Sequence, residues 1–341
     1  MCKAQEYRSD FGEISLKDKL EEMQMNNCLY TVIPCYNEEE VLRETASRLI
    51  EKYKALIAND KISKKSRIVF VNDGSKDKTW EIIKELHEEN VTYSGINLSR
   101  NRGHQNALLA GLMTAKDNAD MVISMDADLQ DDINAMDKMI DSYLAGSDKV
   151  YGVRNKREKD TFFKKFTAEG FYKIMNKMGA EVVFNHADYR LMSKKALEGL
   201  ANYKEVNLFL RGIIPMIGYK TDVVTYERGE RFAGESKYPL KKMISFAIQG
   251  ITSLSVKPMN MIVGLGATAS FVSLIMMIYS VSRHFAGHTV TGWSSLMTSI
   301  WFLGGLNLLA IGVVGEYIGK IYLETKERPR FLIDEFLNNE E

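Results

Sequence analysis

The sequence predicts an α/β domain with a mainly parallel sheet, followed by interfacial helices and a two-helix transmembrane hairpin. From residue 29 to about 153, short apolar runs alternate with segments of helical length, a pattern typical of βαβ units and a parallel sheet. Several of these apolar runs end in clusters of polar side chains. Far downstream, two long stretches contain no Asp, Glu, Lys or Arg, as expected for helices that cross a bilayer.

The alternation predicts the individual elements in chain order. Strands are expected at 29–35, 68–71, 93–98, 121–125 and 149–153, and helices at 38–58, about 77–89 and 105–115, with another before the last strand. Further helices are expected at 162–178 and at 238–256, where lysines beside apolar residues suit a helix at a membrane surface. Residues 1–27 alternate in charge sign, which predicts a frayed or short amphipathic helical extension and not a secretory signal.

Two uncharged stretches are long enough to cross a bilayer, which takes about 20 apolar residues. They comprise residues 262–281 and 293–314, and Arg283 carries the only formal charge between Lys257 and Glu316. Basic residues precede and follow the pair, so the positive-inside rule places both ends in the cytosol. We therefore expect a multi-pass protein of the inner or plasma membrane with cytosolic termini. The alternative is a pair of buried core helices.

These patterns predict five parts. They are an extension at 1–27, the α/β domain at 28–236, a juxtamembrane interfacial helix at 237–258, the hairpin at 259–315 and a cytosolic C-terminal tail at 316–341. The formal net charge is zero, so composition gives no indication of a nucleic-acid partner. The three cysteines show no zinc-type spacing, which favours reduced thiols.

Two carboxylates and an amide follow the fourth predicted strand, in Ser-Met-Asp-Ala-Asp-Leu-Gln-Asp at 124–131. If the backbone stays extended there, Asp126, Asp128 and Gln130 share a face at the carboxyl end of the strand, where open α/β sheets bind ligands. Oxygen donors at that place suit Mg²⁺ or Mn²⁺ that carries substrate phosphates. The alternative is an acidic helix N-terminus in which Asp131 and Asp132 meet the helix dipole.

Polar motifs also follow the first two strands. Pro-Cys-Tyr-Asn-Glu at 34–38 offers the ring of Tyr36 to a nucleoside and the carboxylate of Glu38 to its hydroxyls. Asn-Asp-Gly-Ser at 72–75 offers Asp73 as an acceptor for a base N–H or a ribose hydroxyl. Each motif also has a simple structural explanation, an N-cap at Asn37 or a tight turn after the second strand.

Taken in this order, the three motifs resemble those of the inverting, GT-A-fold glycosyltransferases of family 2. The resemblance narrows to the polyprenyl-phosphate group, which includes bactoprenol glucosyltransferases and dolichol-phosphate mannose synthases. It covers about residues 29–330, and the hairpin followed by Gly-Glu-Tyr-Ile-Gly at 315–319 resembles the bactoprenol subgroup in particular. Further matching segments lie at 98–105, 152–154, 187–192, 209–212 and 228–238.

The resemblance implies a GT-A fold and the transfer of a hexose, with glucose from UDP-glucose as the first choice, to a polyprenyl phosphate such as undecaprenyl phosphate. It assigns Asp126, Asp128 and Gln130 to Mg²⁺ or Mn²⁺. The implied catalytic residues are Asp128, Asp188, Arg228, Arg231 and Lys237, the last three near the donor diphosphate on a mobile segment. The implied nucleotide-sugar contacts are Pro34, Tyr36, Glu38, Asp73, Arg100, Gly103 and Asp126.

A phosphate acceptor removes the usual need for a general base. Its second pKa is about 6, so it is mostly dianionic at pH 7 and can attack the anomeric carbon directly. Arg154, Lys164 and Thr167 are the candidate acceptor contacts, although Ala168 stands where the family commonly has a serine. We expect Asp188 to orient the donor sugar or a basic partner.

There are three alternatives to transfer of glucose from UDP-glucose to a polyprenyl phosphate. The donor could be a UDP-N-acetylhexosamine or GDP-mannose. A processive polysaccharide synthase is disfavoured because the chain has no Gln-x-x-Arg-Trp motif. The third alternative is a non-enzymatic membrane partner of a lipid-linked sugar flippase. The resemblance also suggests a tetramer, and a flippase is a candidate partner.

Overall fold

The computed structural model describes residues 27–154, 186–227, 229, 257–285 and 292–338. An eight-stranded mixed sheet forms the centre of the α/β domain, with helices packed on both faces. This architecture confirms the predicted fold class. The predicted helices at 162–178 and 238–256 and the extension at 1–26 lie outside the described residues.

The first half of the chain alternates strand and helix as predicted. Its elements are β1 (Leu29–Cys35), α1 (Leu42–Ala58), β2 (Arg67–Asn72), α2 (Thr79–Glu89), β3 (Tyr93–Leu98), α3 (His104–Lys116), β4 (Met121–Ser124), α4 (Ala135–Leu144) and β5 (Lys149–Arg154). Helix α1 begins later than predicted, because a turn separates it from β1. Strand β4 ends one residue earlier than predicted.

The second half adds elements that the sequence patterns did not predict. They are β6 (His186–Ser193), α5 (Lys194–Ala201), α6 (Leu210–Met216), β7 (Thr221–Tyr226) and, near the end of the chain, β8 (Ile333–Leu337). Two long helices precede β8, namely α7 (Lys257–Phe285) and α8 (Trp293–Thr325).

The strands lie in the order β7-β5-β6-β4-β1-β2-β3-β8. Strand β1 pairs in parallel with both β2 and β4, and β2 pairs in parallel with β3. Strand β6 is antiparallel to β4 and β5. The carboxyl ends of β1 to β4 therefore meet at one edge of the sheet, which is the edge where polar motifs follow the strands.

Two apolar layers hold the sheet. One packs α1, α2 and α4 against one face, and the other packs α3, α5 and α6 against the opposite face. Helix α3 lies close to β1, because a Cβ on Gly111 would stand 2.3 Å from Cγ1 of Val32. This close packing fixes the N-terminus of α3, and with it His104, at the polar edge of the sheet.

Helices α7 and α8 carry the apolar stretches that the sequence predicts to cross a bilayer. They contain 29 and 33 residues, and large apolar side chains on both are mostly exposed, among them Val263, Phe271, Phe302 and Leu308. Within the described residues, one segment, Phe302–Thr325, is long and apolar enough to span a membrane. The two-span topology stays a prediction.

The segment predicted as a C-terminal tail returns to the domain. Helix α8 continues to Thr325, and β8 then pairs antiparallel with β3 at the edge of the sheet. The chain thus leaves the α/β domain for the apolar helices and comes back to complete its sheet.

Candidate active site

The loops after β1 and β2 are joined by hydrogen bonds. The backbone N–H of Asn37 donates to Oγ of Ser75 over 3.0 Å, and the N–H of Lys76 donates to Oδ1 of Asn37 over 2.9 Å. Asn37 has a φ of 56° and does not cap α1, which begins at Leu42. The two motifs form one rigid rim on which Tyr36 is exposed.

Asp73 holds the loop that follows β3. Its Oδ1 accepts the N–H of Arg102 over 2.6 Å, and its Oδ2 accepts the N–H of Gly103 over 2.9 Å. The carboxylate is buried, which raises its pKa, while the two backbone bonds act in the opposite direction. Asp73 therefore supports the segment that carries Arg100 and Gly103, a role that the sequence patterns did not suggest.

The backbone after β4 turns. Residues 127 and 128 form a turn, and Leu129 has a φ of 57°, so the expected extended continuation is wrong. The N–H of Gln130 donates to Oδ1 of Asp128 over 3.2 Å. Strand alternation therefore does not place Asp126, Asp128 and Gln130 on one face. Among the described residues, no three His, Cys, Asp or Glu side chains are grouped so as to hold a metal ion.

Asp126 lies in an acidic cluster that also contains Asp128, Asp131 and Asp188. Burial raises the pKa of Asp126 to about 6, His104 opposes the shift, and the carboxylates of Asp188, Asp131 and Asp128 add to it. The imidazole Nε2 of His104 stands 3.7 Å from Oδ1 of Asp126 and 3.5 Å from Oδ2 of Asp188. Burial lowers the pKa of His104, but the two carboxylates outweigh this effect and raise it overall.

Asp188 has two basic partners. Arg190 donates to its Oδ1, and Arg211 donates through Nη2 to its Oδ2 over 3.0 Å. Burial alone would raise the pKa of Asp188, yet His104, Arg190 and Arg211 hold it well below its ordinary value. Arg190 is itself fully buried, and its Nε and Nη1 have no hydrogen-bond partner within the described part of the chain.

Arg154 lies beside the motif after β4. Its Nη2 donates to Oδ1 of Asp131 over 3.1 Å, and its Nε donates to the hydroxyl of Tyr226 over 3.1 Å. Nearby, the N–H of Gly229 donates to the carbonyl of Gln130 over 2.9 Å. This contact places Gly229 next to the motif that follows β4.

The remaining predicted site residues divide into two groups. Pro34 ends β1 opposite Val71 of β2, Glu38 donates its N–H to Oγ1 of Thr79, and Arg100 is exposed on the loop after β3. Five further residues lie outside the described parts of the chain, namely Lys164, Thr167, Arg228, Arg231 and Lys237.

Sequence reasoning assigned no role to His104, Arg190 or Arg211. Arg190 and Arg211 stand in otherwise apolar runs, Tyr-Arg-Leu-Met and Phe-Leu-Arg-Gly. A charged side chain in an apolar run that becomes buried needs a partner of opposite charge. Asp188 stands two residues before Arg190 in the sequence. This pattern could have indicated that the two arginines pair with Asp188.

The chain is similar in sequence to known glycosyltransferases. Residues 30–200 match the family model described as glycosyl transferase family 2. Over 318 residues the chain is 52% identical to the uncharacterized glycosyltransferase YkoT of Bacillus subtilis (strain 168), covering 93% of this chain and 94% of that protein. Over 307 residues it is 40% identical to a bactoprenol glucosyl transferase of Shigella phage SfX, covering 89% and 97%. A solved mannosyl-3-phosphoglycerate synthase from Rubrobacter xylanophilus is 14% identical, covers 67% of this chain and 72% of that chain, and superposes with a TM-score of 0.44.

Proposed function

The chain belongs to glycosyl transferase family 2, and we propose that it transfers a hexose from a nucleotide sugar to a polyprenyl phosphate at the cytosolic face of a membrane. The proposal rests on two features that occur together in this chain. An acidic cluster lies where the parallel strands of the mixed sheet end, and two long helices expose apolar side chains. A relative that matches most of the chain is named a bactoprenol glucosyl transferase, which supports undecaprenyl phosphate as acceptor and glucose from UDP-glucose as donor.

In the proposed reaction, carboxylates of the acidic cluster would hold a divalent cation. Mg²⁺ usually takes one or two carboxylates and leaves its other positions to water and substrate phosphates, so Asp126 and Asp128 would suffice, with Gln130 as the third candidate ligand. Three further carboxylates oppose ionisation of Asp126, and a bound cation would relieve that repulsion. Bound Mg²⁺ or Mn²⁺ would offset the negative charge that develops on the departing diphosphate.

The rim formed by the first two motifs would receive the nucleoside. The ring of Tyr36 is exposed there, Pro34 and Glu38 lie beside it, and Asp73 keeps the loop of Arg100 and Gly103 in place. Arg228, Arg231 and Lys237 would contact the diphosphate from the segment that begins beside Gln130. Guanidinium groups suit this role because they can bind phosphate oxygens in a bidentate way.

The reaction would be a direct displacement with inversion at the anomeric carbon. A phosphate oxygen of the acceptor forms the new bond to the sugar, the bond from the sugar to the nucleotide diphosphate breaks, and no proton need move. Arg154, Lys164 and Thr167 would hold the acceptor phosphate. Asp188 is poorly suited to act as a base, because its arginine partners keep its pKa well below the ordinary value; it would orient the donor sugar.

Helices α7 and α8 would both cross the bilayer, with the catalytic domain and both termini in the cytosol of a multi-pass protein. At 1.5 Å per residue they are roughly 43 and 50 Å long, and both exceed a hydrocarbon core of about 30 Å. This arrangement would keep the catalytic domain beside an insoluble acceptor. A tetramer and a flippase partner are further expectations from the family resemblance.

Purified full-length protein in phospholipid vesicles, given undecaprenyl phosphate, Mn²⁺ and one labelled donor at a time, tests the proposal. We expect label from UDP-glucose to enter the organic phase. The same assay with UDP-N-acetylhexosamine and GDP-mannose decides between the donors. Asp128→Asn should lower the rate by about a thousandfold, as loss of a group that binds a catalytic metal would.

Asp117→Asn is the matched control, because this exposed carboxylate lies at the opposite end of α3 from the site, and it should keep the wild-type rate. A wild-type protein that moves no label from any of the three donors would refute the proposed reaction. Near-normal transfer by Asp128→Asn would refute the metal assignment.

A further inference from the structure

Helix α8 is longer than a bilayer requires. The uncharged stretch ends near Val314, whereas the helix continues to Thr325. Glu324 therefore lies about 15 Å beyond the end of that stretch, at 1.5 Å per residue. The last turns of α8, residues 315–325, expose apolar side chains but also carry Glu316, Lys320 and Glu324; they form a stalk between the uncharged stretch and the α/β domain.

The carboxylate of Glu324 binds the domain at two points. Its Oε2 accepts the N–H of Val206 over 2.9 Å, and its Oε1 accepts the N–H of Asn207 over 2.7 Å. Hydrogen bonds to an ionised acceptor are about twice as strong as neutral ones. The two bonded amides lie in the loop between α5 and α6.

That loop leads directly to the acidic cluster. Leu208 and Phe209 are buried, the N–H of Leu210 donates to Oε1 of Gln105 over 2.8 Å, and Arg211 pairs with Asp188. Gln105 follows His104, which faces Asp126 and Asp188. Segment 206–211 is thus bound to α8 at one end and to the candidate active site at the other.

A second attachment lies just beyond α8. Nη1 of Arg330 donates to the carbonyl of Tyr203 over 2.9 Å, and the carbonyl of Leu332 accepts the N–H of Ser99 over 3.0 Å. Strand β8 then pairs with β3. The last turn of α8 and the segment that follows it therefore both contact the domain, which opposes rotation of the domain about the end of the helix.

We propose that Glu324 is a positioning residue that sets the orientation of the active site over the membrane surface. This inference rests on the proposed function, since it concerns how a bilayer-embedded acceptor reaches the acidic cluster. When its two bonds are lost, the contact of Arg330 with Tyr203 and the pairing of β8 remain, but segment 206–211 can shift relative to the end of α8, so the acceptor phosphate no longer meets the donor in line. A substrate that diffuses freely in water does not depend on that orientation.

Two acceptors distinguish this role from a local structural one. Full-length Glu324→Ala in vesicles should show a tenfold or greater loss of kcat/KM with undecaprenyl phosphate. With a short, water-soluble prenyl phosphate the loss should stay within twofold, and the KM for the donor should not change. Glu324→Gln keeps an acceptor oxygen and should fall between wild type and Ala. Glu327→Ala, at an exposed neighbouring carboxylate, should match wild type.

Hydrogen exchange supplies a readout that does not require activity. The amides of Val206 and Asn207 should exchange at least tenfold faster in Glu324→Ala than in wild type. Unchanged exchange, or equal losses with both acceptors, would overturn the positioning role. Absence of transfer by the wild-type protein with both acceptors would instead overturn the proposed function.

Discussion

At the residue scale, Asp126 and Asp188 lie near the same imidazole, yet their pKa values shift in opposite directions. Burial raises the pKa of Asp126 to about 6; His104 opposes the shift, and the neighbouring carboxylates add to it. Asp188 is paired with two arginines, and its pKa is held well below the ordinary value. This difference separates a carboxylate that would benefit from a cation from one that is already neutralised by the protein.

Removing the charge of Asp126 should stabilise the metal-free protein at neutral pH. Well below pH 4 the side chain is neutral in both the folded and the unfolded state. As pH rises, the unfolded state ionises first, so wild type loses stability until pH passes about 6. Asp126→Asn should therefore be more stable by about 1 kcal/mol at pH 7.5, discounted for the partial exposure of the carboxylate.

Thermal unfolding without metal measures this effect, with the advantage of Asp126→Asn shrinking towards pH 4. The same variant should lose Mn²⁺-dependent binding of UDP-glucose. A lower melting temperature than wild type at pH 7.5 would contradict the raised pKa of Asp126.

Asp188 and Arg190 should couple strongly. Asp188→Asn leaves a buried guanidinium without its carboxylate and should cost about 3 kcal/mol of unfolding free energy. Adding Arg190→Met should restore part of that loss, because the uncompensated charge is then absent. Denaturant titration of the two single variants and the double variant gives the coupling energy.

The exposed pair Arg43–Glu85 is the control, and Glu85→Gln should cost less than about 0.5 kcal/mol of unfolding free energy. Additive losses at Asp188 and Arg190 would contradict the pairing.

At the scale of elements, the site depends on loops that bind one another. The loops after β1 and β2 exchange hydrogen bonds through Asn37, and Asp73 binds the loop after β3. Gly74 allows this approach, because a Cβ there would stand 2.5 Å from the backbone nitrogen of Asn101 and its φ is 63°. Each loop therefore positions its neighbour.

Gly74→Ala tests this packing. The added methyl group would push the loop of Arg100–Gly103 away from Asp73, so we expect a loss of about 3 kcal/mol of stability, from overpacking plus left-handed strain, and a KM for the donor about tenfold higher. Gly218→Ala is the control, because Gly218 has a similar positive φ of 75° but no atom within 4 Å of the added Cβ. It should cost only about 1–2 kcal/mol and leave the KM unchanged. Equal effects of the two variants on the KM would contradict the account.

The strands that could be predicted from the sequence are those with a clear local pattern of apolar residues. Strands β1 to β5 are apolar runs bounded by turn residues, so their positions could be read within a residue or two. Strands β6 and β8 are held by antiparallel partners far away in the chain, and helix α6 has only seven residues with Pro215 inside it. Such elements form through tertiary contacts, which a single sequence does not display.

The site was predictable to a similar degree. The order of the motifs placed Asp73 and Asp126 at the correct edge of the sheet. It did not reveal the turn at Ala127 and Asp128, where the hydroxyl of Thr45 from α1 donates to the carbonyl of Ala127, because a contact so distant in the sequence leaves no local pattern. The hydrogen bonds from Arg102 and Gly103 to Asp73 were missed for the same reason.

At the scale of the whole molecule, the apolar helices lie within the chain and not at its end. The chain returns from α8 to the sheet through β8, and Glu324 near the end of α8 also binds the domain. In the proposed function, this arrangement would keep the domain close to the membrane surface, where the acceptor would lie. Family membership, apolar exposure and the acidic edge all agree with that function.

The nature of the attacking group is the central claim, and a comparison of two lipids tests it directly. Vesicles that contain either undecaprenyl phosphate or undecaprenol receive the full-length protein, Mn²⁺ and labelled UDP-glucose, and the rate of organic-phase labelling is measured. A site without a general base predicts labelling of the phosphate and a rate at least a thousandfold lower with the alcohol. Comparable labelling of undecaprenol would show that the protein activates a hydroxyl and would contradict the account.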